Sequence, residues 1–323
     1  MEGSSNSSSL PPYDEFPTRF LLTMATSLPS FMFLFINGSI LSVLRSKPTF
    51  SQCPRYVLLF NLVLSDTILI AQAQTLYLLA TYSVWMSYPL CISLTLVSYL
   101  SFQISPYTLM FMSLERFVAV CLPLKHPTII TLKNTYATIL LMWSVSCLDV
   151  FIRVMLILEF PFHELPDLQM REFCSMDNMS FGPKSSMYNT VYTYFLFATS
   201  ALVILSSFMA VMVIACLASE DKAQVEKTRN TLLLHLFQLG LNFLSVMHTY
   251  VFVAVVMCCG LRSRLFVMVY VCVVLMPRCL SALTYGLRDP ALRPALGTHL
   301  SCGLQLRAGR IQVKGLVLRN KHM

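Results

Sequence analysis

The sequence predicts an all-α membrane protein: a seven-transmembrane helix bundle followed by a short amphipathic C-terminal helix. Three observations carry that expectation. The chain of 323 residues is 56% hydrophobic and only 12% charged. A soluble domain carries ~25% charged residues; half that level cannot coat a globule with polar surface, so lipid must cover much of it. Seven apolar segments recur along the chain, each near the ~20 residues that cross a bilayer's hydrocarbon core. Lys and Arg collect in alternate connections between them, the pattern that sets membrane orientation.

Residues 1–19 are polar and Ser/Pro-rich, and are expected to form a disordered extracellular tail. Asn6-Ser7-Ser8 in that tail is a glycosylation sequon, usable only on the lumenal side. No basic stretch followed by an apolar run marks a cleavable signal, so the first spanning helix is expected to direct insertion. The apolar segments read at roughly 20–44, 55–80, 90–120, 134–158, 187–217, 229–257 and 264–287, within one seven-transmembrane domain over 20–287. Residues 288–323 form a cytoplasmic helix and a basic tail.

The net charge of +8 does not describe a nucleic-acid groove, because its carriers alternate. Arg45, Lys47, Arg55, Lys125, Lys133, Lys222, Lys227 and Arg229 lie on one side, with Arg288, Arg293 and the basic tail. Glu159, Glu164, Asp167, Glu172 and Asp177 lie on the other, and only Arg262 and Arg264 run against the pattern. The expected protein is a multi-pass plasma-membrane protein with its N-terminus outside and its C-terminus in the cytoplasm. Eleven cysteines show no C-x-x-C pair, and most sit inside apolar segments as small hydrophobes. A transporter or channel would show inverted repeats or broken helices, and none is visible. Six scattered His offer no cluster at one depth for a membrane enzyme.

Ionisable residues inside a membrane are costly and mark candidate functional positions. Asp66 falls mid-membrane in Asn61-Leu62-Val63-Leu64-Ser65-Asp66; the plain alternative is a protonated carboxyl hydrogen-bonded within the bundle. Asp149 and Arg153 stand four residues apart on one helical face, where they either brace the helix or line a pocket. Trp143 reads as packing. Glu115 and Arg116 close the third segment before Pro123 stops the helix.

The stretch Ser113-Leu114-Glu115-Arg116-Phe117-Val118-Ala119-Val120-Cys121-Leu122-Pro123-Leu124-Lys125-His126 resembles the Asp/Glu-Arg-Tyr region of rhodopsin-like G-protein-coupled receptors. Its continuation from Val118 looks like the odorant branch, particularly its fish-type members. The run ending at Asp66 resembles that family's Asn-Leu-x-x-x-Asp, and Ser105, eleven residues before Arg116, stands at its partner position. The resemblance implies a possible sodium ion at Asp66 and Ser105, with a ligand set depleted in the seventh segment, where Pro277 and Ser281 stand; no other cofactor is implied. Asn37-Gly38 resembles a family Gly-Asn in reversed order, which implies an Asn37 hydrogen bond across helices near Asp66.

The resemblance further implies a Cys91–Cys174 disulfide, beside a second sequon at Asn178. It assigns Glu115, Arg116 and Tyr285 to the coupling switch: the acid holds Arg116 at rest and releases it to a heterotrimeric G protein. In the seventh segment Ser281 and Ala282 replace the family's Asn and Pro, and Tyr285 is retained. Arg288-Asp289-Pro290 opens the short basic helix, and Cys302 is a candidate lipidation site. Ser98, Tyr99, Phe102 and Gln103 share the bundle-facing side of the third segment. Arg153, Tyr192, Met247, Tyr250 and Val271 complete the expected ligand pocket. Ser98 stands where amine receptors carry an Asp, which disfavours a cationic amine. The implied function is an odorant receptor for a small extracellular ligand, with no enzyme activity and no nucleic-acid partner. The alternatives are a non-olfactory receptor of the same family and, further off, a transporter or channel.

Overall fold

The structure, a computed structural model, describes residues 15–159 apart from Ser83 and Trp85, together with Cys174, residues 182–218 and positions 226, 229, 230, 233, 237, 292–294 and 297. Five long helices fill it: α1 (Glu15–Ser46), α2 (Pro54–Thr81), α3 (Tyr88–Cys121), α4 (Leu132–Leu158) and α5 (Gly182–Ala218). All five are long and apolar enough to cross a membrane.

The boundaries follow local chemistry. Cys53 and Ser87 have extended backbones, and a Pro at the first or second helical position follows each. Pro there loses no helical hydrogen bond and pre-sets φ. The Thr131 hydroxyl caps α4 by accepting from the Asn134 N–H at 3.1 Å. Leu122, next to Pro123, terminates α3. One boundary needs correction. Residues 15–19, assigned above to the disordered tail, form the start of α1. Pro17 sits in the first turn, where its ring costs no bond, so polarity there ends the apolar run without ending the helix.

The third helix is the hub, packing against α2, α4 and α5, while α1 packs on α2. Polarity is distributed inside out. Phe31, Phe35, Leu140, Leu141, Phe151, Phe195, Leu202 and Met209 are exposed, as lipid-facing side chains can be. Ser98, Ser101, Gln103, Ser105, Thr108 and Ser113 of α3 are buried. Hydrocarbon is as apolar as Leu, so spanning helices associate through close packing and hydrogen bonds between small polar groups.

Asn61 illustrates this. Its amide donates to the Thr108 hydroxyl and accepts from the Trp143 indole N–H, both at 3.0 Å. One side chain thereby ties α2 to α3 and α4, and Trp143, expected to pack only, is a hydrogen-bond donor as well. Gln74 does the same for α1 and α2, accepting from Ser30 and donating to Ser27, each at 2.8 Å. Around the Asn61 bonds an apolar cluster including Ile40, Leu62, Ile104, Met112 and Ile204 closes the core, and Leu292 from the C-terminal segment is fully buried in it. Asn37 departs from expectation. It is fully buried, but neither its amide oxygen nor its nitrogen has a partner among the described residues, so no bond toward Asp66 forms.

The sixth and seventh segments and the amphipathic helix lie largely outside the described residues, as do Asn6, Asn178, Met247, Tyr250, Val271, Pro277, Ser281, Ala282, Tyr285 and Cys302.

Candidate functional site in the helix bundle

Three polar clusters lie along α3, one at its C-terminal end and two at its middle, facing α2 around Ser105 and facing α4 and α5 around Gln103. At its C-terminal end, Arg116 Nε lies 3.2 Å from Glu115 Oε2, and His126 Nε2 lies 3.9 Å from Glu115 Oε1. Glu115 is buried and Arg116 half-buried. The acid therefore holds its neighbour where solvent screening is incomplete, the arrangement a releasable pair requires. His126, from the one-turn helix His126–Ile129, was not singled out in the sequence. Its signal is only proximity after the turn at Pro123.

Midway, the fully buried Ser105 hydroxyl donates to Asp66 Oδ1 at 2.6 Å, and Ser65 lies 3.5 Å from Ser105. A carboxylate and adjacent hydroxyl oxygens are the hard donors a sodium ion takes. The pair predicted from sequence is thus assembled and chemically suitable, in a form where Ser105 directs its proton at the acid.

At the same level but on another side of α3, helices α3, α4 and α5 converge on the predicted ion pair. Arg153 Nε donates to Asp149 Oδ2 at 2.7 Å, with both side chains at least nine-tenths buried. Gln103 donates to that same oxygen, and Tyr188 donates to Asp149 Oδ1 at 2.9 Å. Arg153 Nη1 donates to Asn189 Oδ1 at 2.9 Å, and Tyr192 donates to Gln103 Oε1 at 2.9 Å. Tyr107 meets Tyr192 at 3.2 Å, and the Arg153 guanidinium lies 3.9 Å from the Tyr99 ring centre. The carboxylate is satisfied by donors from three helices and the guanidinium reaches α5 as well, so the pair does more than brace α4.

Of the pocket residues predicted from sequence, Tyr99, Gln103, Arg153 and Tyr192 meet here. Phe102 lies against Phe197 of α5, with ring centroids 6.0 Å apart. Ser98 is buried but bonds its own helix, donating to Leu94 O at 3.2 Å. Sequence reasoning left Asp149, with Arg153, as either a brace or a pocket residue, and missed Tyr107, Tyr188 and Asn189. The four-residue repeat Tyr188–Tyr192 was the available signal. A separate apolar groove of about 310 Å³, walled by Ile92, Leu96, Val154 and Leu158, opens between α3 and α4 and includes none of this network. Cys91, fully buried at the start of α3, is disulfide-bonded to Cys174 with a Cα–Cα distance of 5.7 Å.

Comparison with known proteins places these features. Residues 36–283 match the family profile described as 7 transmembrane receptor (rhodopsin family). The chain belongs to the rhodopsin family of seven-transmembrane receptors. It is a multi-pass membrane protein, and the members of its family are receptors rather than enzymes. This rhodopsin-family receptor is of the fish odorant type: it is 30% identical over 277 residues to Odorant receptor 131-2 of Danio rerio, covering 84% of this chain and 83% of that protein. The matched region contains Asp66, Glu115–Arg116 and the whole Asp149–Arg153 network.

Proposed function

We propose that this rhodopsin-family receptor is an odorant receptor that binds a small molecule from the extracellular side and activates a heterotrimeric G protein. The observation that carries the reading is that two charged clusters meet one helix, α3. The Asp149–Arg153 network engages the middle of α3 through Tyr99, Gln103 and Tyr107, and the Glu115–Arg116 pair closes its C-terminal end. A ligand that rearranges partners at the first cluster has a continuous helix through which to bias the second. The name of the Danio rerio relative supports olfaction as the setting. A disulfide needs an oxidising compartment. Cys91 and Cys174 therefore support an extracellular α3 start, in accord with the charge distribution, a plasma-membrane location and a cytoplasmic Arg116.

The test is nucleotide exchange on a purified G protein. Arg116→Ala should lower ligand-stimulated exchange by about tenfold or more at equal surface expression, within the usual ~5–150-fold span of allosteric coupling. Glu115→Gln, which neutralises the restraining acid, should instead raise exchange without ligand. Unchanged stimulation in Arg116→Ala would overturn this coupling mechanism.

We further propose that Asp66 and Ser105 hold a sodium ion in the resting receptor. Replacing sodium by choline at constant ionic strength should raise basal exchange a few-fold, the reach of a coupling near ~1 kcal/mol, and Asp66→Asn should remove the difference. Equal exchange in the two salts would exclude a regulatory ion there.

A further inference from the structure

We propose that the ligand class of this receptor is an uncharged hydrogen-bond acceptor, a carbonyl compound on an apolar chain, seated on the open edge of the Arg153 guanidinium. The proposal rests on the reading of the α3–α4–α5 network as the ligand site, and it begins from an asymmetry in that network. Asp149 is filled: Arg153, Gln103 and Tyr188 all donate to it. Arg153 is not. A guanidinium carries five N–H donors. Nε uses one on Asp149 and Nη1 uses one on Asn189; among the described residues nothing takes the other three. The Asn189 amide repeats the pattern, for its oxygen accepts from Arg153 while its NH₂ has no partner among the described residues. Arg153 is only 6% exposed as a residue, yet none of its nitrogens is among the fully buried atoms without a partner, so its spare donors stay within reach of a water or a ligand. The site presents spare donors beside a carboxylate already engaged, so its complement is an acceptor.

The charge on that acceptor follows from the ion pair. Asp149 and Arg153 together are neutral. A ligand carboxylate would be attracted by Arg153 and repelled, from only slightly farther away, by the Asp149 oxygen bonded to the same guanidinium. Most of the attraction cancels, while the dehydration cost of the new ion stands in full. An ammonium would meet the exposed edge of a cation, with Asp149 behind it already occupied. A carbonyl oxygen avoids both penalties and accepts charge-assisted bonds from Nη2 and the second Nη1 hydrogen.

The surroundings set the rest of the ligand. The rings of Tyr99, Tyr188 and Tyr192 lie 3.9, 5.4 and 5.6 Å from the guanidinium carbon. They flank the cation with aromatic surface. The tyrosine rings themselves offer apolar surface to the ligand's chain; Phe102 and Phe197 pack with the core instead.

The experiment uses the full-length receptor in lipid nanodiscs and four probes of one chain length: an alkan-2-one, the carboxylate, the alkylammonium and the hydrocarbon. Equilibrium binding should place the ketone about tenfold or more ahead of the carboxylate and the ammonium, the scale of a site built around donors. Arg153→Lys keeps a cation beside Asp149 but loses the planar fork. It should cost the ketone about tenfold and leave hydrocarbon partitioning unchanged. Tighter binding of carboxylate or ammonium than of ketone overturns the proposal. So does ketone affinity unaltered in a folded Arg153→Lys, or no saturable ketone binding. The rank order in the unaltered receptor decides the matter even if the variant fails to fold. Nucleotide exchange run in parallel separates the two levels. Exchange driven by the carboxylate through Arg116 would defeat the carbonyl assignment and leave the receptor reading standing; carbonyl binding at Arg153 that never alters exchange would do the reverse.

Discussion

Asp149→Leu alone is expected to destabilise the receptor by ~3–5 kcal/mol, because it leaves the Arg153 guanidinium charged, buried and unpaired. Four groups lose their acceptor together: Arg153 Nε, Gln103 and Tyr188 directly, and Tyr192 through the displaced Gln103. Arg153→Met should cost a similar amount, since it strands the carboxylate on Gln103 and Tyr188. The paired change Asp149→Leu/Arg153→Met should cost much less than the sum, because apolar side chains of similar volume replace a buried ion pair with little net loss. Thermal unfolding in detergent, read by thiol labelling or by retention of a monodisperse peak, measures all three. A coupling below ~0.5 kcal/mol in the cycle would mean that the two charges act independently, and the account of α3, α4 and α5 as held by one network would fall. In the double variant ligand response should still be lost, because the donors are gone although the helices remain packed.

How much of this was visible in the sequence depends on the distance over which each interaction acts. The spanning helices were legible because apolar length is a local property, and Pro123 marks the end of α3. The Asp149–Arg153 pair was legible because i,i+4 spacing alone brings the side chains together, and Glu115–Arg116 because the residues are adjacent. The Asp66–Ser105 bond was carried by family resemblance, since nothing within α2 points to one serine of α3. What could not be read were the partners across helices. Asn189 and Arg153 lie 36 residues apart in sequence, and Tyr192 and Gln103 lie 89 apart. Their meeting depends on the rotation of α5 about its axis, which a uniformly apolar helix does not announce. Trp143 was misjudged for the same reason. Its ring packs as expected, but its N–H finds Asn61 only because α2 and α4 both lie against α3. Asn37 erred in the other direction: polar and buried, it was given a partner that the described structure does not supply.

Loss of the Cys91–Cys174 bond is the other change expected to have a large effect. The bond closes a loop of sequence separation 83, tying the start of α3 to the connection between α4 and α5. Cross-linking so long a loop removes conformational freedom from the unfolded chain worth about 4.5 kcal/mol in the entropic account. The native side adds to this, because Cys91 is fully buried with Met86 and packs beside Leu79, Ile92 and Cys174. Cys174→Ser should therefore sharply reduce the folded fraction at the cell surface, and Cys91→Ser should do so at least as strongly, since it also places a hydroxyl in that apolar contact. Because the two cysteines act through one bond, the double variant should be no worse than Cys91→Ser alone. Surface labelling with and without a membrane-impermeant reductant provides the measurement. A Cys174→Ser receptor that reaches the surface normally and melts within about 1 kcal/mol of the unaltered chain would show that the loop is held by other contacts. If the fold survives but ligand affinity drops, the bond instead serves to position the N-terminal ends of α3 and α5, the two helices that supply Tyr99, Gln103, Tyr188 and Tyr192 to the Arg153 site.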